Sequence, residues 1–435
     1  MDSIKVGLLG LGVVGGGTWK VLRRNAQEIA RRAGQTIEVT RIAVRDVEKA
    51  RALVGSSIKV DADPKGLVRD PSIDIVVELM GGDTLARELV LEAIAQGKHV
   101  VTANKALLAK HGTEIFAAAS AKGVVVAFEA AVAGGIPIIK AIREGLTANR
   151  IEWVAGIING TTNFILSEMR SRGLPFATVL AEAQKLGYAE ADPTFDIEGV
   201  DAAHKLTLLA SLAFGIPVQF ERAYVEGISK LAADDIKLAE RLGYRIKLLG
   251  ITKRRPEGIE LRVHPALVPA KSMLANVEGA MNAVLIRGDA VGQTLYYGKG
   301  AGEEPTASAV VADLVDVTRL LNADPEHRVP HLAFQPDAMA DTPILSIDDV
   351  ISSYYLRMTV ADQPGVLADI ARVFSDGGIS IGSMIQQPSD ADGNADLVFL
   401  TNEAVERNVN AAIAKIEAMP FVRSNVTRLR MESLS

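Results

Sequence analysis

The chain has 435 residues, 48% of them hydrophobic, and its 47 Lys and Arg nearly balance 53 Asp and Glu for a formal net charge of −6. That length predicts two to four domains, and with no basic block nucleic-acid binding finds no support. The absence of Cys excludes disulfides, zinc–thiolate centres and a cysteine nucleophile, and the six His show no HxH or HExxH spacing for a transition metal.

The chain passes straight from Met1-Asp2 into a strand without a signal peptide, and its most apolar stretch, 124–142, is interrupted by Glu129, Lys140 and a Gly-Gly-Ile-Pro turn. A soluble, cytoplasmic protein with no membrane partner is expected. Residues 4–10 read as a strand that runs into Gly10-Leu11-Gly12-Val13-Val14-Gly15, a GxGxxG. A helix is predicted over 18–33 and a second strand over 37–44. Strand, glycine turn, helix and strand are the context a dinucleotide fingerprint needs. The glycines allow a tight turn, close approach of the pyrophosphate and close helix packing, and the helix N-terminus offers free N–H groups. Arg45 stands at the end of the second strand, with Asp46 next. An arginine there accommodates the 2′-phosphate of NADP and an acid holds the 2′-hydroxyl of NAD, so NADP is favoured with NAD the alternative.

Predicted strands at 73–80, 99–103 and 124–129, with a helix at 84–96, continue the alternation. This is an α/β arrangement, a Rossmann-type doubly wound parallel sheet whose ligands lie at the carboxyl ends of the strands. Lys105 and Glu129 fall at such ends. Lys105 is either a ligand contact or an exposed lysine opening a helix. Glu129 with the carbonyls of the following turn suits a hard monovalent cation or a satisfied turn, and spacing alone favours the turn.

From residue 150 the order changes to an α+β pattern. A strand at 151–158 ends in Asn159-Gly160-Thr161-Thr162-Asn163, which has helix-cap chemistry. Helices are predicted at 161–172, 176–186, 196–214 and 232–242, a hairpin at 244–252 and 259–268, and strand character at 283–287 and 294–297. In the helix at 196–214, Asp201, Lys205, Leu208 and Leu212 fall on one stripe, so a carboxylate and an ammonium group share a face with inward leucines. An exposed i,i+4 pair contributes only about 0.3–0.5 kcal/mol, but an inward one costs desolvation, which favours a chemical role. A second glycine loop, 298–302, leads into a helix to 321. Residues 322–352, rich in Pro, Asp and His, read as a linker. Residues 353–431 read as βαββαβ, a ferredoxin-like sandwich with no reactive constellation. Its strands are placed at 354–360, 379–385, 395–401 and 421–428, its helices at 366–376 and 404–419, and a turn at 390–393.

With these pieces in place, the chain resembles homoserine dehydrogenases over residues 1 to about 321, and residues 353–431 resemble an ACT domain. The matches are GLGVVGGG (10–17), TANK (102–105), EAAVAGGIP (129–137), NGTTNFIL (159–166), GYAEADPTFDIEGVDAAHK (187–205) and GKGAGEEPTASAVVADL (298–314). The fifth is long and specific. There is no aspartate-kinase region, so the single-activity form is implied. The resemblance implies a cofactor domain at 1–149 and a substrate-binding, catalytic and dimerisation domain at 150–321. It implies interconversion of aspartate 4-semialdehyde and homoserine by hydride transfer, with Lys205 the proton donor and Lys105 a second cation. Gly187, Glu190, Asp196 and Asp201 would bind substrate. Gly10, Leu11, Gly12, Val13, Val14, Gly15, Arg45, Thr102, Lys105 and Gly302 would hold the cofactor. A sodium ion at Glu129 and the carbonyls of Val132, Gly134 and Ile136 replaces the plain-turn reading. A threonine effector at Asp362, Gly365, Ile379 and Ser380, and a homodimer or homotetramer, complete what the resemblance implies; Ser380 stands where related ACT sequences commonly carry asparagine. The competing readings are another NAD(P)-dependent dehydrogenase and a sensor without turnover.

Overall fold

The computed structural model describes residues 3–321, 323–387 and 392–434. The first unit runs β1 (Ile4–Leu9), α1 (Val13–Arg24), α2 (Ala26–Ala33), β2 (Ile37–Ala43), α3 (Val47–Val54), β3 (Lys59–Asp61), α4 (Pro64–Arg69), β4 (Ile75–Glu78), α5 (Thr84–Ala95), β5 (His99–Thr102), α6 (Lys105–Lys122) and β6 (Val126–Ala127). Among the described residues its six strands pair in parallel, in the order β3-β2-β1-β4-β5-β6. This is the doubly wound dinucleotide-binding order, with its crevice where β1 and β4 meet.

Several predicted boundaries move; the strand expected at 73–80 is confined to Ile75–Glu78. The helix expected at 18–33 starts at Val13 and breaks at Asn25 (φ −108°, ψ 17°). Gly15, Gly16 and Gly17 are poor helix formers, but packing overrides propensity: a methyl group on Gly17 would lie 2.7 Å from the Glu303 carbonyl oxygen. The strand expected at 124–129 shortens to two residues, because Glu129–Ala131 turns into a 3₁₀ helix.

The chain then forms α7 (Ile138–Lys140), β7 (Ile151–Ile157), α8 (Gly160–Arg172), α9 (Phe176–Lys185), α10 (Thr194–Ile197), α11 (Val200–Phe214), β8 (Tyr224–Val225), α12 (Ala233–Arg241), β9 (Tyr244–Arg255), β10 (Gly258–Pro269), β11 (Met281–Gly288), β12 (Gly292–Lys299) and α13 (Glu303–Leu320). The helix expected at 196–214 is two helices, because Gly199 adopts a left-handed φ of +83° between them. From Asp201 to Phe214 every residue of α11 is buried, on all sides and not on one stripe. Helix α13 returns to the first unit and packs on α1, where Lys20 Nζ meets Glu303 at 2.6 Å.

The last unit comprises β13 (Ile351–Ala361), α14 (Val366–Asp376), β14 (Ile381–Gln386), β15 (Asn394–Thr401), β16 (Ala404–Val405), α15 (Glu406–Glu417) and β17 (Thr427–Met431). The order is the expected βαββαβ, with corrected ends. Residues 404–405 pair with β13 before the helix begins, and the last strand starts at Thr427, not at residue 421. Of the expected turn at 390–393, Asp390 and Ala391 lie outside the described residues. The sheet is not separate from that of the middle unit. Strand β17 pairs in parallel with β10, so among the described residues one sheet of eleven strands crosses both units. The segment between α13 and β13 is also anchored: the Ala340 N–H donates to the Gly215 carbonyl, and residues 343–345 exchange hydrogen bonds with Ile259. No described helix is long and apolar enough to cross a membrane.

Candidate active site

The glycine turn has three distinct jobs. Gly10, at φ +94°, closes the turn against Leu79. A methyl group on Gly15 would lie 2.4 Å from the Gly10 carbonyl oxygen, so only glycine lets the helix start there. Around Gly12 a methyl group would meet nothing within 4 Å, and α1 begins after it without a side-chain cap. That open cradle under uncapped N–H groups fits a pyrophosphate. Gly12→Val is therefore expected to raise the Kd for the dinucleotide at least about tenfold with the fold intact, whereas Gly15→Val destabilises the fold itself; calorimetric titration and thermal unfolding separate the two.

Arg45 is exposed after β2, and Asp46 is committed to capping α3, its carboxylate accepting the Lys49 N–H at 3.0 Å. Thr102 ends β5 and donates to Glu78 at 2.7 Å; Glu78 also accepts the Met80 N–H. Burial pushes the Glu78 carboxyl up, against the hydrogen bonds it accepts. Neither spacing nor motif singled out Glu78; only the pairing of β4 with β5 brings it to Thr102.

Asp201 and Lys205 meet as the helical spacing requires. Lys205 Nζ donates to Asp201 Oδ2 at 2.7 Å and to the Ile158 carbonyl at 2.8 Å. Lys105, the first residue of α6, reaches Asp201 Oδ1 at 2.9 Å. One buried carboxylate thus holds two cations from two domains. Asn159 Nδ2 donates to Asp201 Oδ2 and Asp196 Oδ1, each at 2.8 Å, while its Oδ1 caps α8 through the Thr162 N–H. Asn159 was legible only as a cap. Its link to the acids spans 42 residues and comes from β7 ending beside α11.

The charges differ in state. Burial raises the Asp201 pKa, but both ammonium groups outweigh that and hold it below the usual carboxylate range. Burial pulls the Lys205 ammonium down, with Lys105 adding to the effect and Asp201 opposing it. Lys105 is also disfavoured by burial, yet Asp201, Asp196 and Glu190 together raise it. Glu190 is exposed at the rim, and Gly187, exposed at φ +77°, turns the chain out of α9. Asn282, 1% exposed, has both amide atoms without partners among the described residues, and Gly300 leaves it room. Gly302 precedes α13 without a side-chain cap.

Glu129 accepts the Ile139 and Lys140 N–H groups, each at 2.9 Å, and its own N–H donates to Asp313 Oδ2 at 2.8 Å. Burial pushes both the Glu129 and the Asp313 carboxyl up. Ala133 and Gly134 both take left-handed φ, 54° and 49°. Among the described residues no hydrogen bond ends on the Val132 or Gly134 carbonyl, whereas the Ile136 carbonyl accepts the Ile138 N–H at 2.8 Å.

The four expected effector residues do not converge within one chain. Asp362 follows β13, and its N–H donates to Gly393 beside the start of β15; Gly365 is the N-cap of α14. Ile379 is buried, and Ser380 Oγ accepts from Asn402 past the other end of β15. Ala361 pairs with Asn394 and Ile381 with Thr401, so the two halves lie roughly 20 Å apart along that strand.

A dinucleotide crevice facing a buried lysine–aspartate–lysine cluster defines the class, a nicotinamide-dependent oxidoreductase with an appended βαββαβ unit. The comparisons narrow it. Residues 137–315 match the family model described as homoserine dehydrogenase, residues 10–129 its NAD binding domain, and residues 354–419 an ACT domain. The chain is 61% identical over 436 residues, covering 100% of each, to a homoserine dehydrogenase of Pseudomonas aeruginosa, and 57% identical to that of Neisseria gonorrhoeae, again covering 100% of each. A crystal structure of a homoserine dehydrogenase from Thiobacillus denitrificans superposes with a TM-score of 0.96 at 67% identity, covering 100% of this chain and 99% of that one. A hyperthermophilic archaeal homoserine dehydrogenase in complex with NADPH gives a TM-score of 0.63 at 26% identity, over 73% of this chain and 98% of that one. The chain belongs to the homoserine dehydrogenase family and carries its ACT domain.

Proposed function

We propose that the protein reduces aspartate 4-semialdehyde to homoserine with NADPH, on the way to threonine and methionine, with Lys205 as the proton donor. The observation that carries this reading is the single buried carboxylate, Asp201, held between Lys205 and Lys105. Gly10 to Gly15, Thr102, Lys105 and Gly302 hold the cofactor, which supplies the hydride. Hydride arrival turns the aldehyde oxygen into an alkoxide, which needs a cation and a proton. Lys205 has three N–H donors and uses two, leaving one for that oxygen. Asp196 and Glu190, near Lys105 and the rim, receive the substrate's ammonium group with Asp201, and Gly187 shapes the rim. Purified protein with the aldehyde should consume NADPH; no turnover with either cofactor overturns the reading.

Exposed Arg45 and the committed Asp46 support NADP over NAD. Arg45→Ala should raise the KM for NADPH by roughly tenfold and change that for NADH little, as measured by steady-state kinetics. The free Val132 and Gly134 carbonyls beside Glu129 support a sodium ion, with the Ile136 carbonyl as a further ligand. Its charge would offset two buried carboxylates. Residues 1–149 serve the cofactor, 150–321 the substrate and dimerisation, and 353–431 regulation, with 322–352 connecting them. Threonine is the proposed effector. Since its four residues lie at opposite ends of one ACT sheet, the site takes Asp362 and Gly365 from one copy and Ile379 and Ser380 from another. The exposed edge strand β14 supports that pairing, in a homodimer or homotetramer. The proposed setting is the cytoplasm.

A further inference from the structure

Arg430 stands on β17 of the ACT unit and is 1% exposed, yet the catalytic unit shares it. On its own side Glu406, buried on the same unit, accepts the Arg430 Nε–H and the Tyr354 hydroxyl, each at 2.8 Å, so the guanidinium is fixed in place. On the other side it crosses to the end of β8. Nη1 donates to Glu226 Oε2 at 2.9 Å and Nη2 to the Tyr224 hydroxyl at 3.2 Å, and that hydroxyl donates to Glu226 Oε2 at 2.8 Å. Strands β8 and β17 lie end to end along one edge of β10, while β9 fills the other edge. Each of the two pairs with only two residues of β10, at 262–263 and 266–267, so backbone pairing specifies their ends weakly. A buried ion pair adds little net stability, and its use here is to specify which groups meet.

The residues that follow β8 hold the turn between two site carboxylates. The Glu226 N–H donates to the Val263 carbonyl and the Ile228 N–H to the Ile197 carbonyl, each at 2.8 Å. Between them a methyl group on Gly227 would lie 2.5 Å from Glu198 Cα, so the two backbones are in direct contact. Residues 197–199 join α10, which carries Asp196, to α11, which carries Asp201. We propose that Arg430 of the ACT unit is a positioning residue for the reaction: by gripping Glu226 it fixes the end of β8, and so the turn that sets Asp196 and Asp201 against the substrate. This deepens the function proposed above and rests on its assignment of those carboxylates. Close packing transmits a shift of β8 to the turn, and a misplacement of about 1 Å is enough to weaken a site.

The test is steady-state kinetics of the full chain, with thermal unfolding of each variant. Arg430→Met and Glu226→Ala should each raise the KM for aspartate 4-semialdehyde at least about fivefold and leave the KM for NADPH within about twofold. The double variant should show no larger rise than either single one, because all three lose the same contact. A purely structural role gives another pattern, since unfolding a fraction of the molecules lowers apparent kcat and moves neither KM. Arg357→Met is the control. Arg357 joins the same ACT unit to Asp235 of α12 at 2.6 Å, away from β8, so its loss should lower the unfolding temperature and keep the aldehyde KM within about twofold. Glu226 is half-buried, so Glu226→Ala decides the matter if Arg430→Met folds poorly. The positioning role is overturned if Glu226→Ala keeps the wild-type aldehyde KM, if the two rises add, or if Arg357→Met raises that KM as much. Absence of wild-type turnover with either cofactor instead overturns the reaction itself, and this role with it.

Discussion

Lys205→Met is expected to lower kcat for aldehyde reduction by about 10³-fold while leaving the KM for NADPH within about twofold. The size follows from losing the proton donor while keeping the cofactor crevice, which lies on another domain. The choice of Lys205 over Lys105 rests on their surroundings. Lys205 is 8% exposed and burial pulls its ammonium below the ordinary lysine range, so it gives up its proton more readily. Lys105 keeps a 35% exposed side chain and is raised by three carboxylates, so it holds its proton and serves as a fixed positive charge. Reduction needs the protonated amine, so its rate falls as pH rises through the Lys205 pKa; homoserine oxidation needs the free base and rises there. The limb should vanish in Lys205→Met. In Lys105→Met it should move to higher pH, because Lys105 is one of the charges that depress Lys205. A wild-type pH profile in Lys205→Met would transfer the role to another group.

The parts of this site that could be read from the chain are those set by short spacing. Asp201 and Lys205 are four residues apart on a helix, and the glycine turn follows its strand directly, so period and motif suffice. The stripe argument understated the case, since α11 is buried on every side. What escaped is set by strand pairing. Asn159 reaches Asp201 across 42 residues, and Asp313 reaches Glu129 across 184. The junction of the two sheets escaped for the same reason. Strand β17 reads Thr-Arg-Leu-Arg-Met, a pattern that says one face is polar but not that its partner is β10.

That junction carries the second large effect. Arg262, 1% exposed on β10, donates to Glu260 Oε2 at 3.0 Å and to Glu432 Oε1 at 2.6 Å; Glu432 follows β17 and also meets Lys253 at 2.8 Å. Burial works against the Arg262 and Glu432 charges, but Arg262 and Lys253 hold the Glu432 carboxyl below the usual range. Arg262→Met should therefore cost about 3–5 kcal/mol at pH 7, read as an earlier denaturation midpoint and faster proteolysis of the ACT unit, because two buried carboxylates lose their shared cation. Glu432→Met in the same chain removes one of them, and the double variant should be more stable than Arg262→Met alone. The pH dependence has a definite sign. In wild type the Glu432 pKa is depressed by folding, so its contribution is present above about pH 4 and is lost as pH falls further. In Arg262→Met the Glu432 carboxylate keeps Lys253 against burial but loses Arg262, so its pKa rises relative to wild type and the variant's deficit should shrink as pH falls from about 7 to about 3. A deficit that stays constant over that range, or a double variant no better than the single one, would show that Arg262 acts there through packing and not through its charge.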